Sequence, residues 1–255
     1  MIHHTKAYGN FRKQTIDLLN FIVAVFYAIP SLKLRIKNIK NDTLVTPRPE
    51  YFTHDKSSPE MVRRLTFKYK LRLGAYSLLS IFSFFEAYVK DVLEEIIDFH
   101  GGEKVFLELS LNKSQKYIVN IPNEIKNNKR KLIEYLRPQQ KDKYEKHTKI
   151  LKQLEYNFPT TLFAPYGINA FLEKVKYIRA IEIPEILNKA LHITLTEDQI
   201  NQFDSIRKIR NDIAHGRKVT YSMKKVMEIH KYLRDLALLI DKHIIEHYLV
   251  IEKYV

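Results

Sequence analysis

The sequence predicts an all-α fold, and three observations carry that prediction. Its 255 residues include only six glycines, so few positions offer the positive φ that tight hairpin turns use. Long runs rich in Leu, Ile, Lys and Glu place their apolar members at three- and four-residue steps, the period of one helix face. No segment sustains the apolar–polar alternation of a half-buried strand between turn signals. The length allows a sizeable core. The expectation is one all-α domain over 1–255, a helical bundle with an inserted helical and irregular middle segment at 103–195.

The elements follow in order. A first helix is expected from about Asn10 to Ile29. Its most apolar part, Leu18 to Ile29, is about a dozen residues, holds Asn20 and runs between Asp17 and Pro30, short of the roughly 20 residues that span a bilayer. No small-residue cleavage site follows it. It is therefore read as a buried helix, with no membrane partner. Residues 31–58, with Pro47 and Pro49, read as an irregular connection. Ser57-Ser58-Pro59-Glu60 then announces a second helix, a capping residue followed by proline at the first helical position. That helix should reach Asp98 and stop at Gly101-Gly102, with Leu78, Phe82, Phe85, Val89, Val92 and Ile96 as its core stripe. Residues 103–195 are broken by Pro122, Pro138, Pro159, Pro165 and Pro184. Thr196-Glu197-Asp198-Gln199 is a capping box, and its helix should end near Gly216. Ser222 should cap a last helix from Met223 to about Tyr248, with Val226, Ile229, Leu233, Leu236, Ile240 and Ile244 buried. A short turn at Gly216 predicts an antiparallel pair.

Charge narrows the function. Forty-three Lys and Arg against 29 Asp and Glu leave a formal +14, a balance that favours polyanions, nucleic acid before an anionic membrane. The plainer alternative is a solvated basic surface. With no cysteine there is no disulfide, thiolate zinc site or thiol nucleophile, which suits a reducing cytoplasm. Any chemistry falls to His, carboxylates, hydroxyls, Lys or Arg. Lys126, Lys129, Arg130 and Lys131 open a basic stretch to Lys152 in which Tyr135 and Tyr144, with Tyr156 just beyond, could stack on bases while the cations meet phosphates. A solvated helical hairpin fits the same composition.

Arg210-Asn211-Asp212-Ile213-Ala214-His215 is the pattern most suited to chemistry. At about 100° per residue, Ile200, Phe203, Ile206, Ile213 and Ala214 share a broad face and Arg210 falls near its middle. Asn211 and His215 lie toward one edge, and Asp212 points to solvent. A guanidinium stays ionised, so an arginine on an apolar face needs partners. Three explanations remain open: an ion pair with a carboxylate such as Glu86, a subunit interface, or a cleft where Arg210 and His215 meet a phosphodiester. Spacing alone decides nothing, because about one or two such Arg–His matches arise by chance in a chain this basic. Arg48 and His54 also fit, yet Pro47 and Pro49 disfavour a helix there.

Arg210, the polar Asn211 and His215, with the Ile-Ala-His-Gly ending, resemble the signature of the HEPN superfamily. The run Ser80-Ile81-Phe82-Ser83-Phe84-Phe85-Glu86-Ala87-Tyr88 is similar to the Phe-Glu-Ala-Tyr helix of HEPN families in defence and toxin systems, the large standalone ones of the MAE_28990 type included. The resemblance covers about residues 60–100 and 196–250. It implies a homodimeric helical bundle whose two motifs face one cleft, and an endoribonuclease that needs no metal or other cofactor. Products would be a 2′,3′-cyclic phosphate and a 5′-hydroxyl. In that scheme His215 is general base or acid, Arg210 stabilises charge on the phosphorane, Asn211 holds His215 or a phosphate oxygen, and Glu86 orients Arg210 or His215. Arg207 and Arg217 join Lys126, Lys129, Arg130 and Lys131 as expected RNA contacts. The resemblance further implies a toxin or defence role and an inhibitory partner protein. Some relatives carry His-x-Tyr, with a tyrosine that a partner modifies; Arg217 stands there instead. The competing reading is a non-catalytic module that binds RNA or protein.

Two other patterns are set aside. His243-Ile244-Ile245-Glu246-His247 fits the H-x-x-E-H arrangement of a zinc peptidase class, but the chain lacks room for a distant third ligand, and His243, His247 and His230 are read as solvent-facing. Glu94, Glu95 and Asp98 are read as solvated acids rather than metal ligands.

Overall fold

The computed structural model describes residues 3–39, 64, 66–108, 172–173, 175–217 and 220–249. Most of these residues are helical, and none of them is in a strand. The fold class is the expected one. Four long helices carry it: α1 (Lys6–Ile39), α2 (Tyr69–Phe99), α3 (Glu197–Ala214) and α4 (Met223–His247). A mixed helical segment precedes α3, made of Ala180–Glu182, Ile183–Glu185 and Ile186–Ala190. The chain divides into two compact units, one of Met1–Arg12, Phe84–Lys208 and Leu233–Val255, the other of Lys13–Ser83 and Ile209–Tyr232.

The first unit holds a dense aromatic core. Phe11 packs against Phe85 and Tyr88, and Phe85 against Phe203, with ring centroids 5.4–6.2 Å apart, the separations at which edge and tilted contacts are favourable. Two buried polar tips here meet backbone carbonyls, as burial favours. The Tyr88 hydroxyl donates to the Ala237 carbonyl at 2.9 Å, and His100 Nε2 donates to the Tyr248 carbonyl at 2.7 Å. Ile183, Ile186, Leu187, Ala190 and Leu191 are buried here. They fall in the stretch 103–195 that the sequence reads as an insertion. Pro184 stands in the first turn of Ile183–Glu185, where its missing N–H costs nothing.

Two carboxylates secure the start of α1. Asp241, wholly buried on α4, accepts from the Thr5 N–H at 2.9 Å, the Thr5 hydroxyl at 2.6 Å and His4 Nδ1 at 2.7 Å. Glu95 on α2 accepts from the Lys6 and Ala7 N–H groups, both at 3.0 Å. The orphan donors and the positive dipole end of a helix N-terminus are thereby met. Glu95 is not the solvated acid the sequence suggested.

α1 departs most from expectation. It continues through an exposed Pro30 to Ile39, and the Ser31 hydroxyl donates to the Tyr27 carbonyl across that turn. The apolar run is a helix but not a buried one. Ile22 is buried, whereas Phe21, Val23 and Tyr27 are exposed, Tyr27 by 77%. One stripe of a helix suffices for packing, and here apolar residues also occupy the opposite side. By length and composition Lys6–Arg35 could cross a membrane, with only 11% of its apolar window buried, so the expectation that this segment is too short does not hold.

α2 ends as predicted, at Gly101 and Gly102 with φ of +94° and +88°. Its predicted stripe is buried throughout. The expected start at Ser57–Glu60 lies outside the described residues, as do Arg48 and His54. Among those described, the helix begins after Lys68, whose φ of 58° breaks the ladder, and the Leu71 and Arg72 N–H groups bond to the Lys68 carbonyl.

Candidate active site

α3 begins on the predicted capping box. The Gln199 N–H donates to Thr196 Oγ1 at 3.2 Å and the Thr196 N–H to Gln199 Oε1 at 2.9 Å. From that start the helical period sets what each side chain meets. Phe203, Ile206 and Ile213 are buried, Ile200 is half-buried and Ala214 is exposed, so the apolar face is narrower at its end than the sequence implied.

Arg210 is half-buried. Its guanidinium carbon lies 5.2 Å from the centre of the Phe82 ring, within the range at which a ring face attracts a cation. Nη1 donates to Asn211 Oδ1 at 3.0 Å. Because a guanidinium only donates, the atom of Asn211 that faces it must be the oxygen, and the amide NH2 is directed elsewhere. Asn211 is itself half-buried.

His215 follows α3 in an exposed turn. Its N–H bonds to the Asn211 carbonyl at 2.9 Å, and the Gly216 N–H bonds to Ile213 at 3.0 Å. Gly216 has φ of +72°, the left-handed closure that ends a helix. Arg217, also exposed, reaches Asp212 at 3.6 Å. The motif therefore presents a shielded cation, a neutral amide and an accessible imidazole within about one and a half turns.

The chain beyond the motif is tied back to the start of α2. The Tyr221 N–H donates to the Leu71 carbonyl at 2.8 Å. A Cβ at Gly74 would run into the Tyr221 carbonyl oxygen, so only glycine permits that approach. Ser222 then accepts the first α4 bond, from the Val226 N–H at 3.0 Å.

The remaining candidates are less uniform. Glu86 is half-buried on α2. Arg207 has a side chain only 16% exposed and pairs with Asp204 at 3.1 Å, a disposition that suits bracing α3 better than meeting a phosphate. Lys126, Lys129, Arg130 and Lys131, with Tyr135, Tyr144 and Tyr156, lie outside the described residues.

The α4 histidines are not as predicted. His230 is only 7% exposed. His243 is half-buried and donates through Nε2 to the Leu191 carbonyl at 2.7 Å. Burial, with the neighbouring His247 next in weight, pulls its pKa down to about 4. His247 alone is exposed. Among the described residues no three His or carboxylate side chains converge as a metal site would require.

The family profile described as RiboL-PSP-HEPN matches residues 50–246. This chain belongs to the RiboL-PSP-HEPN family. The match covers the Arg210–His215 motif and both ends of α2, and it runs through the residues between 103 and 195 that the sequence had set aside. Kinship with the MAE_28990 type is a finer statement than this match makes. No curated protein and no solved structure matches the chain. Sequence reasoning missed Phe82 as the seat of Arg210, having read it as core alone. It could have been found by asking which aromatic of the neighbouring stripe lies opposite a cation on an apolar face.

Proposed function

We propose that this RiboL-PSP-HEPN protein is an endoribonuclease that needs no metal. The observation that carries the reading is the shielded Arg210 guanidinium, seated over Phe82 and bonded to Asn211, about one and a half turns before an exposed His215. Family membership supports RNA as the substrate.

The 2′-hydroxyl oxygen attacks phosphorus, the O2′–P bond forms and the P–O5′ bond breaks. The proton leaving O2′ goes to an imidazole, and O5′ receives one as it departs, giving a 2′,3′-cyclic phosphate and a 5′-hydroxyl. Neutral and protonated imidazole are both accessible near pH 7, so His215 serves either step. A homodimer with two motifs in one cleft supplies both forms. Arg210 offers in-plane donors to the phosphorane oxygens, the role that otherwise asks for a metal. Asn211, its oxygen engaged by Arg210, presents its NH2 to a phosphate oxygen. Glu86 acts as an orienting acid. Arg217 and the Lys126–Lys131 cluster hold the RNA backbone. On this reading the protein is a cytoplasmic toxin or defence effector, restrained by an inhibitory protein.

The test uses purified protein and His215→Ala with mixed RNA, with and without EDTA. Cleavage that resists EDTA and is lost in the variant is the expected result. RNA binding without cleavage would replace this reading with the non-catalytic module. Gel filtration checks the dimer, since a strict monomer with full activity contradicts a shared cleft.

A further inference from the structure

We infer that Phe82 is a positioning residue for Arg210, and that its ring face sets the plane in which the guanidinium meets a phosphodiester. The inference rests on the nuclease reading above. It starts from an imbalance: Phe82 is fully buried, while the cation above it, Arg210, is half-buried. A phenyl ring packed on all sides within a helix stripe is held in one rotamer. An arginine side chain loses rotamer freedom whenever it is made to hold one geometry. The rigid ring gives the guanidinium a fixed surface to lie over.

The kind of contact matters as much as its existence. A guanidinium is planar, and its five N–H groups lie in that plane. A ring face below the plane attracts the cation through its quadrupole without accepting any of those hydrogens. Only Nη1 is directed at Asn211, at 3.0 Å. Phe82 consequently fixes the height of the cation above its ring while consuming no donor, and Asn211 fixes rotation of the fork. Together they orient the fork before substrate arrives, the preorganisation from which electrostatic stabilisation of a transition state draws its strength. Neither residue brings a negative charge to the cation.

The role differs from core packing in what it makes sensitive. Core packing depends on the volume at position 82, whereas positioning depends on the electron density of the ring face. The experiment compares wild type, Phe82→Leu and a protein carrying ring-fluorinated phenylalanine at 82. Fluorination keeps the shape and drains the face. Three readouts are taken: RNA cleavage, thermal melting, and the ring-current shift of the Arg210 Nε–H resonance by NMR.

Loss of the stack should lower kcat about tenfold, the factor that corresponds to a contact of this strength, with KM changed by less than about twofold because the interaction matters most in the transition state. The fluorinated protein should melt like wild type and lose activity in step with fluorine content. Unchanged kcat in the fluorinated protein, or a wild-type Arg210 resonance without a ring-current shift, overturns the inference while cleavage itself stands. Wild-type protein that keeps the ring-current shift but cleaves no RNA overturns the nuclease reading instead, and the catalytic role of Phe82 with it. Should Phe82→Leu fail to fold, the fluorinated protein alone decides.

Discussion

At the scale of the residue, Arg210 and Asn211 behave as one unit. The guanidinium and the amide are joined by a 3.0 Å bond, so changing the charge of the second alters the first. Asn211→Asp keeps the shape and places a carboxylate against the cation, diverting it from any phosphate. We expect RNA cleavage to fall at least about tenfold, as for loss of a charge-stabilising donor, with melting unchanged or slightly raised by the new ion pair. Steady-state cleavage and a melting curve check it; full activity in this variant would show that Arg210 works without Asn211. His243 offers a second test. Its folded pKa of about 4 lies below the ordinary 6.5, so the folded protein resists protonation that the unfolded chain accepts. Stability from this group is complete above pH 6.5, declines as pH falls from there and is lost by about pH 4. The decline should amount to roughly 2 kcal/mol after allowance for solvent screening of a half-buried ring. Urea titrations across that range measure it, and His243→Gln should flatten the dependence.

At the scale of the element, two close contacts decide where the motif ends up. Thr196 and Gln199 start α3 at a defined residue, and every later side chain inherits its direction from that start. Gly74 lets the Tyr221 carbonyl lie against α2, which anchors the segment after His215. Gly74→Ala has no room for its methyl group there. It should cost about 1–3 kcal/mol, the usual penalty for overpacking, and should displace the turn that carries His215. Chemical denaturation gives the first effect and cleavage the second. Retained stability would mean that the segment shifts freely, in which case activity should suffer most. Gly216 was legible in the sequence as a helix stop, and its φ of +72° agrees. Gly74 was not, because a glycine inside a helical pattern carries no mark of what approaches it from elsewhere in the chain.

At the scale of the whole molecule, the +14 charge is the property that long-range association with RNA would feel. Binding of a polyanion to such a surface releases counterions. Affinity should fall steeply between 50 and 200 mM salt, by about a hundredfold or more when several phosphates are contacted. Filter binding with His215→Ala, chosen because the nuclease reading has it leave RNA uncut, measures this. A flat salt response would remove RNA as the partner of the basic surface. The acids work differently from that surface charge: Glu95 and Asp241 are spent on the N-terminus of α1.

The helical class, the limits of α3 and α4, the stop of α2 and the buried stripes were legible in the amino-acid order, because each depends on near neighbours along the chain: a capping box, a glycine, a period of 3.6. That order also determined that Arg210 would sit on an apolar face, since periodicity alone puts it there. Tertiary packing settled that Phe82 receives that cation, that Glu95 and Asp241 cap α1, that Ile183, Ile186 and Leu187 are buried and that Tyr27 is not. Those outcomes depend on residues brought together from distant parts of the chain. A local pattern can say that a group needs a partner, but the partner is chosen by how the helices meet.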